Sequence, residues 1–421
     1  MSLLSMAEEG VRTHQTVVVS NGRIMRIGPA SQTPIPPGTT RIDGRGKVLM
    51  PGLGDAHAHL STVGGGPALA GRALDLYPLF GVTTIRSMYT EPHHRPLLAN
   101  AAGRVWPRVV VASPAFTGQS TPTPQAARDS VRKYKAEGFA FTKVLPGLSR
   151  PTFDTLAAES KALGMPLAGH VPAAVGLEQA LQSGFVSIEH LDGLMEALLP
   201  PGTQAQPGFF GLGLIDRVDE GRLAEVVRQV KASGVVVVPT EMAMERYVST
   251  DSGTALARRP EMRYVPMPLL QAWIGQKDNF ARGVGVTAAR AARYRALRRR
   301  FIRELHAAGV PIALGSDAFN LFDVPGASIV EELTAFVDAG MTPRAAIRSA
   351  TVEVARLMNI PHVTGTVSVG AVADLVLLEG DPLLDLRQVA HPAGVMLNGR
   401  WLDRAEMDRR LRALEVPSTG H

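Results

Sequence analysis

The arrangement of apolar and polar positions changes twice along the chain and divides it into three parts. Residues 14–50 and 365–400 contain short apolar-rich runs, such as Thr16-Val-Val-Val-Ser and Ala373-Asp-Leu-Val-Leu-Leu, separated by turns such as Asn21-Gly22. Short runs of this kind between turn residues are typical of β-strands. Neither end has enough strands to bury a core alone, so we predict that residues 1–50 and 365–421 form one small β-sandwich domain together.

Between the two ends, short continuous apolar runs alternate with segments of helical periodicity. The predicted strands are residues 48–55, 82–87, 108–112, 141–145, 166–170, 187–190, 235–240 and 311–317. Predicted helices include residues 68–79, 125–137, 152–163 and 177–182. Strands that alternate with helices indicate parallel βαβ units. Eight such units predict an α/β fold, a (β/α)8 TIM barrel over residues 51–364, with its site at the carboxyl ends of the strands.

Composition narrows the class of protein. The chain has 421 residues, 45% of them hydrophobic and 19% charged, which suits a large barrel with a small second domain. No apolar run approaches the roughly 20 residues of a membrane span, so we expect no membrane partner. The chain has no cysteine, so any metal must be held by histidine, carboxylate or a modified lysine.

Charge adds little to this interpretation. The net charge is +6, and the basic residues are densest in residues 290–303, where apolar residues recur at helical spacing. The arginines should therefore occupy the solvated side of an amphipathic helix, and without a recognised motif we expect no nucleic-acid partner. The first residues lack a signal-peptide pattern, which favours a cytoplasmic location by default. A secreted or periplasmic location stays open if the N-terminus has been trimmed.

Residues with metal-binding chemistry stand at the carboxyl ends of the predicted strands. His57 and His59 follow the first strand, where residues two apart share a face with Cα atoms roughly 6.5 Å apart. Other strand ends carry Lys143, His170, His190 and Asp317. Each has an ordinary explanation alone, as a surface amine, a buried imidazole or a helix cap. Six at one end of a barrel are hard to explain separately, and they predict a metal site.

The motifs around these residues resemble those of the amidohydrolase superfamily of metal-dependent hydrolases. The matching stretches are Pro51-Gly-Leu-Gly-Asp-Ala-His57-Ala-His59, Phe141-Thr-Lys143-Val, Gly169-His170, Ser187-Ile-Glu-His190 and Leu314-Gly-Ser-Asp317. Within the superfamily the chain is most similar to the Xaa-Pro dipeptidase-like and acyl-amino-acid hydrolase branch.

The resemblance implies a site with two divalent ions, usually zinc. His57, His59 and Asp317 would hold the buried ion, and His170 and His190 the more exposed one. Lys143, carboxylated by carbon dioxide, would bridge the ions together with a hydroxide. Asp317 would also serve as the catalytic general acid and base.

The implied activity is hydrolysis of an amide bond, in a peptide-like or N-acyl amino acid substrate, by the metal-bridging hydroxide. An esterase or lactonase on the same site stays open. A mononuclear deaminase of the superfamily would not need Lys143, and a binding protein would not need all six ligands, so both are weaker alternatives. We expect a small-molecule substrate and a homo-oligomer.

Several further residues have two interpretations each. Arg246 and Tyr247, just beyond the seventh strand, could bind a substrate carboxylate, or they could be polar residues that enter a long loop. Residues 200–280 could form a lid or a subunit contact. Asp55 could support the metal site or fill the interior. His93 and His94, on the loop after the second strand, could touch the substrate, although a solvated loop is the favoured interpretation.

Overall fold

The computed structural model describes residues 1–62, 64–203 and 209–416. The strands are β1 (Ser2–Leu3), β2 (Gln15–Ser20), β3 (Arg23–Pro29), β4 (Val48–Pro51), β5 (Leu53–Ala58), β6 (Val82–Ser87), β7 (Arg108–Val111), β8 (Thr142–Val144), β9 (Leu167–Gly169), β10 (Phe185–Glu189), β11 (Val236–Val238), β12 (Leu375–Leu378), β13 (Gly394–Leu397) and β14 (Arg400–Asp403).

The α-helices are α1 (Pro67–Leu76), α2 (His94–Ala99), α3 (Pro124–Ala136), α4 (Arg150–Ala162), α5 (Leu177–Gln182), α6 (Leu223–Ser233), α7 (Glu241–Val248), α8 (Gly253–Leu256), α9 (Met267–Val284), α10 (Ala288–Ala307), α11 (Ile329–Asp338), α12 (Pro343–Ser349), α13 (Val352–Leu357) and α14 (Arg404–Ala413). Short 3₁₀ helices lie at Tyr77–Phe80, Glu196–Leu198, Phe209–Leu214, Glu220–Arg222, Pro260–Tyr264 and Leu386–Ala390.

Parallel strands in the middle of the chain form two sheets. One has the order β5-β6-β7 and the other the order β8-β9-β10-β11. A parallel bridge between Ala112 and Phe141 joins them on one side. On the other side, residues 311–317 lie between β11 and β5, with a bridge from Val237 to Ile312 and a 2.7 Å hydrogen bond from the Ala56 N–H to the Leu314 carbonyl. The fold is a TIM-barrel-like α/β arrangement.

Helix boundaries follow local sequence signals. The Thr123 and Ser149 side chains accept hydrogen bonds from the first turns of α3 and α4, and a proline follows close behind each cap. Gly81, with a φ of +79°, ends the turn after α1 in the left-handed conformation that favours glycine. The first two caps fix where α3 and α4 begin, and Gly81 ends the helical segment directly before β6.

Two of the predicted strands are corrected by the structure. The run 48–55 is divided between two sheets: β4 pairs with β1 and β12, whereas β5 pairs with β6. Gly52 lies at the division, where a Cβ would meet the Thr83 hydroxyl at 2.2 Å. His57 therefore lies within a strand and not beyond it. Residues 311–317 make one isolated bridge and no regular strand, because their hydrogen bonds are divided between neighbours on both sides.

Strands from both chain ends share one mixed sheet in the order β1-β4-β12-β13-β14. Alternate residues of β12 face two apolar clusters, with Val376 and Leu378 in the main core and Leu375 and Leu377 in a smaller one. The β2–β3 hairpin covers the smaller cluster with Ile24. The two ends of the chain are thus joined through β4 and β12, which are antiparallel neighbours.

The basic helix α10 differs from its prediction at one residue. Tyr294, Leu297 and Phe301 are buried, as the helical spacing predicts. Arg298, however, is only 1% exposed and points into the protein, where Glu241 and backbone carbonyls satisfy its guanidinium. Among the described helices, none is both long and apolar enough to cross a bilayer.

Candidate active site

The six residues predicted to bind metal lie at one end of the parallel strands. His57 is in β5, Lys143 is in β8, and the other four follow strand ends or lie in residues 311–317. The ring centroids of His57 and His190 are 4.5 Å apart, and those of His170 and His190 are 4.9 Å apart. The ring centroid of His59 lies 5.4 Å from that of His57, so the four imidazoles surround one small volume.

Two histidines and a carboxylate form the tightest part of this group. His57 Nε2 and His59 Nε2 lie 3.3 and 2.8 Å from Asp317 Oδ1, and one ligand atom from each residue lies within 4.8 Å of the others. Burial acts to raise the pKa of Asp317, but His57 and His59 outweigh it and hold that pKa well below its usual range. A carboxylate that stays ionised beside two imidazoles is suited to a divalent cation.

Lys143 has a buried amine without a partner. Its Nζ accepts or donates no hydrogen bond to any of the described residues. Burial is the largest influence on this group and lowers the pKa of Lys143 to about 8. A neutral amine is the form that reacts with carbon dioxide, and a carbamate would replace an unsatisfied buried cation by two anionic oxygens. The donor set at this position therefore fits a bridged pair of cations.

Three of the histidines have a hydrogen-bond partner at Nδ1. Glu189 lies 2.8 Å from His57, Asp192 lies 3.2 Å from His170, and the Thr240 hydroxyl lies 2.7 Å from His190. Such partners fix the ring and leave Nε2 as the atom directed at the site. Burial also lowers the pKa of His170 and of His190, which keeps both neutral and able to ligate.

Glu189 has a buried ion-pair partner that the sequence analysis missed. Arg86 Nη1 lies 3.3 Å from Glu189 Oε1 and donates to Ser187 Oγ at 2.9 Å. The signal was present, because a charged residue inside the apolar run 82–87 requires a buried partner. The identity of that partner depends on the neighbouring strands and could not be read from local sequence.

Asp55 supports the site, which decides between its two interpretations. Its carboxylate accepts hydrogen bonds from the backbone N–H groups of His57 and Ser316 and from the Ser316 hydroxyl, at 3.1, 3.0 and 2.5 Å. These bonds join β5 to the residues just before Asp317. Burial raises the pKa of Asp55 to about 6, against the opposing effect of these bonds.

The backbone is constrained where ligands leave their strands. His190, Thr240 and Asp317 have φ values of 63°, 51° and 61°, a left-handed conformation that is costly for residues other than glycine. Gly315 allows residues 311–317 to approach β5, since a Cβ there would lie 2.6 Å from the His57 Cβ. Surrounding contacts must hold these conformations in place.

Arg246 and Tyr247 lie in α7 and are engaged by protein groups. Arg246 is buried, forms an ion pair with Glu331 and has its Nε 3.6 Å from Asp323. The Tyr247 hydroxyl accepts a hydrogen bond from Gln276 at 3.1 Å. Their role in binding substrate stays a prediction.

His94 lies inside the protein and not in a solvated loop. His94 is completely buried and lies 2.9 Å from the Ser61 hydroxyl, so the expectation of a solvated loop was wrong for it. The reason is that the loop after β6 packs against the loop after β5.

From the long segment 200–280, Phe210 lies against the rings of His190 and His170, at centroid distances of 4.8 and 5.7 Å. Residues 204–208 of that segment lie outside the described residues.

The fold and the histidine–carboxylate group together define a metal-dependent hydrolase. Residues 48–402 match the Amidohydrolase family, so the chain belongs to that family and its predicted superfamily membership is confirmed.

Several solved structures are similar over nearly the whole chain. A Xaa-Pro dipeptidase with bound methionine shares 21% identity at a TM-score of 0.68, covering 96% of this chain and 98% of that one. A bottromycin amidohydrolase shares 26% identity at a TM-score of 0.70, covering 98% and 89%. A molinate hydrolase shares 19% identity at a TM-score of 0.71, covering 100% and 97%.

A shorter similarity links the chain to deaminases. An adenine deaminase of Paracoccus denitrificans (strain Pd 1222) is 37% identical over 87 residues, which are 21% of this chain and 13% of that protein. The match thus spans a small part of the relative's length.

Proposed function

We propose that this protein is a binuclear metallohydrolase that cleaves a compact amide whose leaving group is an amino acid, such as a dipeptide or an N-acyl amino acid. The site would stand at the mouth of a closed (β/α)8 barrel over residues 51–364, beside a domain built from residues 1–50 and 365–421. The observation that carries the proposal is the buried, unpartnered amine of Lys143 among the histidines. A mononuclear deaminase has no use for such a lysine.

The proposed ligands are divided between two ions, most suitably zinc. His57, His59 and Asp317 would hold one, His170 and His190 the other, and a carboxylated Lys143 would bridge them. When bound, the two ions would supply a water of lowered pKa and polarise the substrate carbonyl.

Asp317 is the proposed proton carrier of the reaction. Its Oδ2 accepts a hydrogen bond from the Asn320 amide at 3.1 Å, while Oδ1 faces His59 and His57. Asn320 thereby fixes the plane of the carboxylate without bringing a titratable proton of its own. Asp317 takes a proton at a carboxylate oxygen and gives it to the departing nitrogen, because an amide anion is a poor leaving group. Phe210 packs beside the histidines and limits access of bulk water.

A metal count tests the number of ions. Protein loaded with zinc and bicarbonate should contain two ions per chain by elemental analysis, and Lys143→Ala should lose most of the metal. Lys277→Ala is a matched control, since it removes a buried lysine that hydrogen-bonds the Tyr247 and Ser249 carbonyls. Full metal content and activity in Lys143→Ala would refute the binuclear site. A short carboxylic acid should partly restore the variant by replacing the missing oxygens.

A substrate screen tests the bond that is cleaved. Dipeptides, N-acyl amino acids, lactones and aryl esters should be compared with zinc- or manganese-loaded protein. If Arg246 binds the substrate carboxylate, masking that group should lower kcat/KM by about 10²-fold, since a charged hydrogen bond is worth roughly 1.5–3 kcal/mol. Arg246→Ala should then discriminate little between free and masked substrates. Equal turnover of both by the wild type would instead favour esters or lactones.

A further inference from the structure

His190 differs from the other oriented histidines in the chemistry of its partner. His57 and His170 face carboxylates, which can only accept a hydrogen bond from Nδ1 when ionised. His190 faces the hydroxyl of Thr240, which can either donate or accept. The tautomer of His190 therefore depends on where the Thr240 proton is directed.

The Thr240 proton has an acceptor of its own. Thr240 Oγ1 donates to the Pro239 carbonyl oxygen at 2.8 Å, and a carbonyl has no hydrogen to give in return. While Thr240 Oγ1 makes that bond, it has only a lone pair to offer to His190 Nδ1. His190 then carries its hydrogen on Nδ1, which leaves the lone pair of Nε2 directed at the site.

The turn that contains Thr240 is held from two sides. Arg298 donates to the carbonyl oxygens of His190 and Pro239, both at 2.8 Å. Glu332, which is completely buried, accepts hydrogen bonds from the N–H groups of Glu241 and Met242 at 2.8 and 2.9 Å. A β-branched residue seldom adopts the φ of 51° that Thr240 has, so these contacts are what keeps the turn in this conformation.

We propose that Thr240 is a positioning residue that selects the tautomer of His190. Its hydroxyl is oriented by the Pro239 carbonyl, and its backbone is held by Arg298 and Glu332. The inference rests on the proposed function only where it treats His190 as a metal ligand. The tautomer itself is a property of the metal-free protein and can be measured there.

Nitrogen NMR of metal-free protein labelled with ¹⁵N-histidine provides the direct test. The chain has 11 histidines, so the signals of the His190 ring would be identified as those that disappear in His190→Asn. The wild type and Thr240→Ser, which keeps a hydroxyl, should both show hydrogen on Nδ1 and none on Nε2. Thr240→Val removes the acceptor with little change in shape, so His190 should become a mixture of tautomers. Thr240→Ala serves the same purpose if valine prevents folding.

Thr84→Val is the matched control for this substitution. Thr84, in β6, is buried like Thr240, but its hydroxyl has no hydrogen-bond partner among the described residues, so the change removes no bond. Its His190 spectrum and metal binding should equal those of the wild type.

Equilibrium dialysis with zinc provides a second readout. Thr240→Val should bind the ion proposed for His170 and His190 about 10- to 100-fold less tightly, the usual effect of losing a residue that orients a ligand, and Thr240→Ser should restore the affinity. An unchanged His190 spectrum in Thr240→Val and Thr240→Ala, or hydrogen on Nε2 in the wild type, would overturn the proposal. If the wild type bound one ion or hydrolysed no amide, the proposed function would fail. The ¹⁵N spectrum of His190 in metal-free protein would still decide the role of Thr240.

Discussion

Removing one member of the buried Arg86–Glu189 pair should destabilise the protein more than removing both. Arg86 is 2% exposed and Glu189 is completely buried, so neither charge has water to compensate it. Burial acts to raise the pKa of Glu189, but His57 and Arg86 outweigh it and lower that pKa to about 2. Glu189 is therefore a buried anion whose stability depends on these two partners.

The magnitude follows from the burial of the pair. Arg86→Met keeps most of the side-chain volume but removes one charge, and breaking a buried pair costs about 3–5 kcal/mol. Because the unfolding entropy grows with the 421 residues of the chain, this corresponds to a Tm lower by about 3–6 °C. The double variant Arg86→Met/Glu189→Gln leaves no unpaired charge, and its Tm should lie within about 2 °C of the wild type.

Thermal unfolding followed by circular dichroism on chelator-treated protein would measure this difference without a contribution from bound metal. Arg132→Met is the control, because Arg132 is 60% exposed and its pair with Glu159 has a similar separation of 2.7 Å. Exposed pairs contribute about 0–1 kcal/mol, so the control should shift the Tm by roughly 1 °C at most. Equal shifts in Arg86→Met and Arg132→Met, or a double variant as unstable as the sum of its single variants, would refute the reasoning.

Three further outcomes can be measured separately. Burial and the nearby charge of Asp192 raise the pKa of Glu196 from 4.5 to about 7, so the folded state retains a proton that the unfolded chain releases. The free energy of unfolding should therefore fall as the pH rises from 4.5 to about 7. Glu196→Gln should raise the Tm at about pH 8 but not at about pH 4, and equal Tm shifts at the two pH values would contradict this. Gly315→Ala places a methyl group 2.6 Å from the His57 Cβ and should weaken metal binding in dialysis, whereas wild-type affinity would show that the segment can move aside. Deletion from Gly365 onward removes β12–β14 and exposes the edge of β4, so the protein should be insoluble on expression; a soluble, active truncation would show that the domain boundary is misplaced.

The candidate ligands could be found from the sequence because their placement follows a general rule of parallel sheets. The carboxyl ends of parallel strands meet at one edge, so His170 after one strand and His190 after the next are neighbours whatever their side chains touch. The same rule brings in Asp317 from the last segment, although a regular strand is absent there. Helix limits were also close, because caps such as Thr123 and Ser149 act locally.

The division of the run 48–55 could not be predicted in the same way. β4 and β5 are both buried on both faces, so the apolar pattern continues through Gly52 without a break. Which sheet each half joins is decided by partners far away in the chain, β12 for one and β6 for the other.

By itself the sequence determined the order of strands and helices and the residues that stand at strand ends, because periodicity, caps and turns are local properties. Only the tertiary structure decided which buried charges meet. Glu189 orients His57 from 132 positions away, and Arg298 reaches the His190 carbonyl from 108 positions away. A buried charge must find a partner in space, and no local pattern distinguishes Arg298 from the exposed arginines beside it in the same helix.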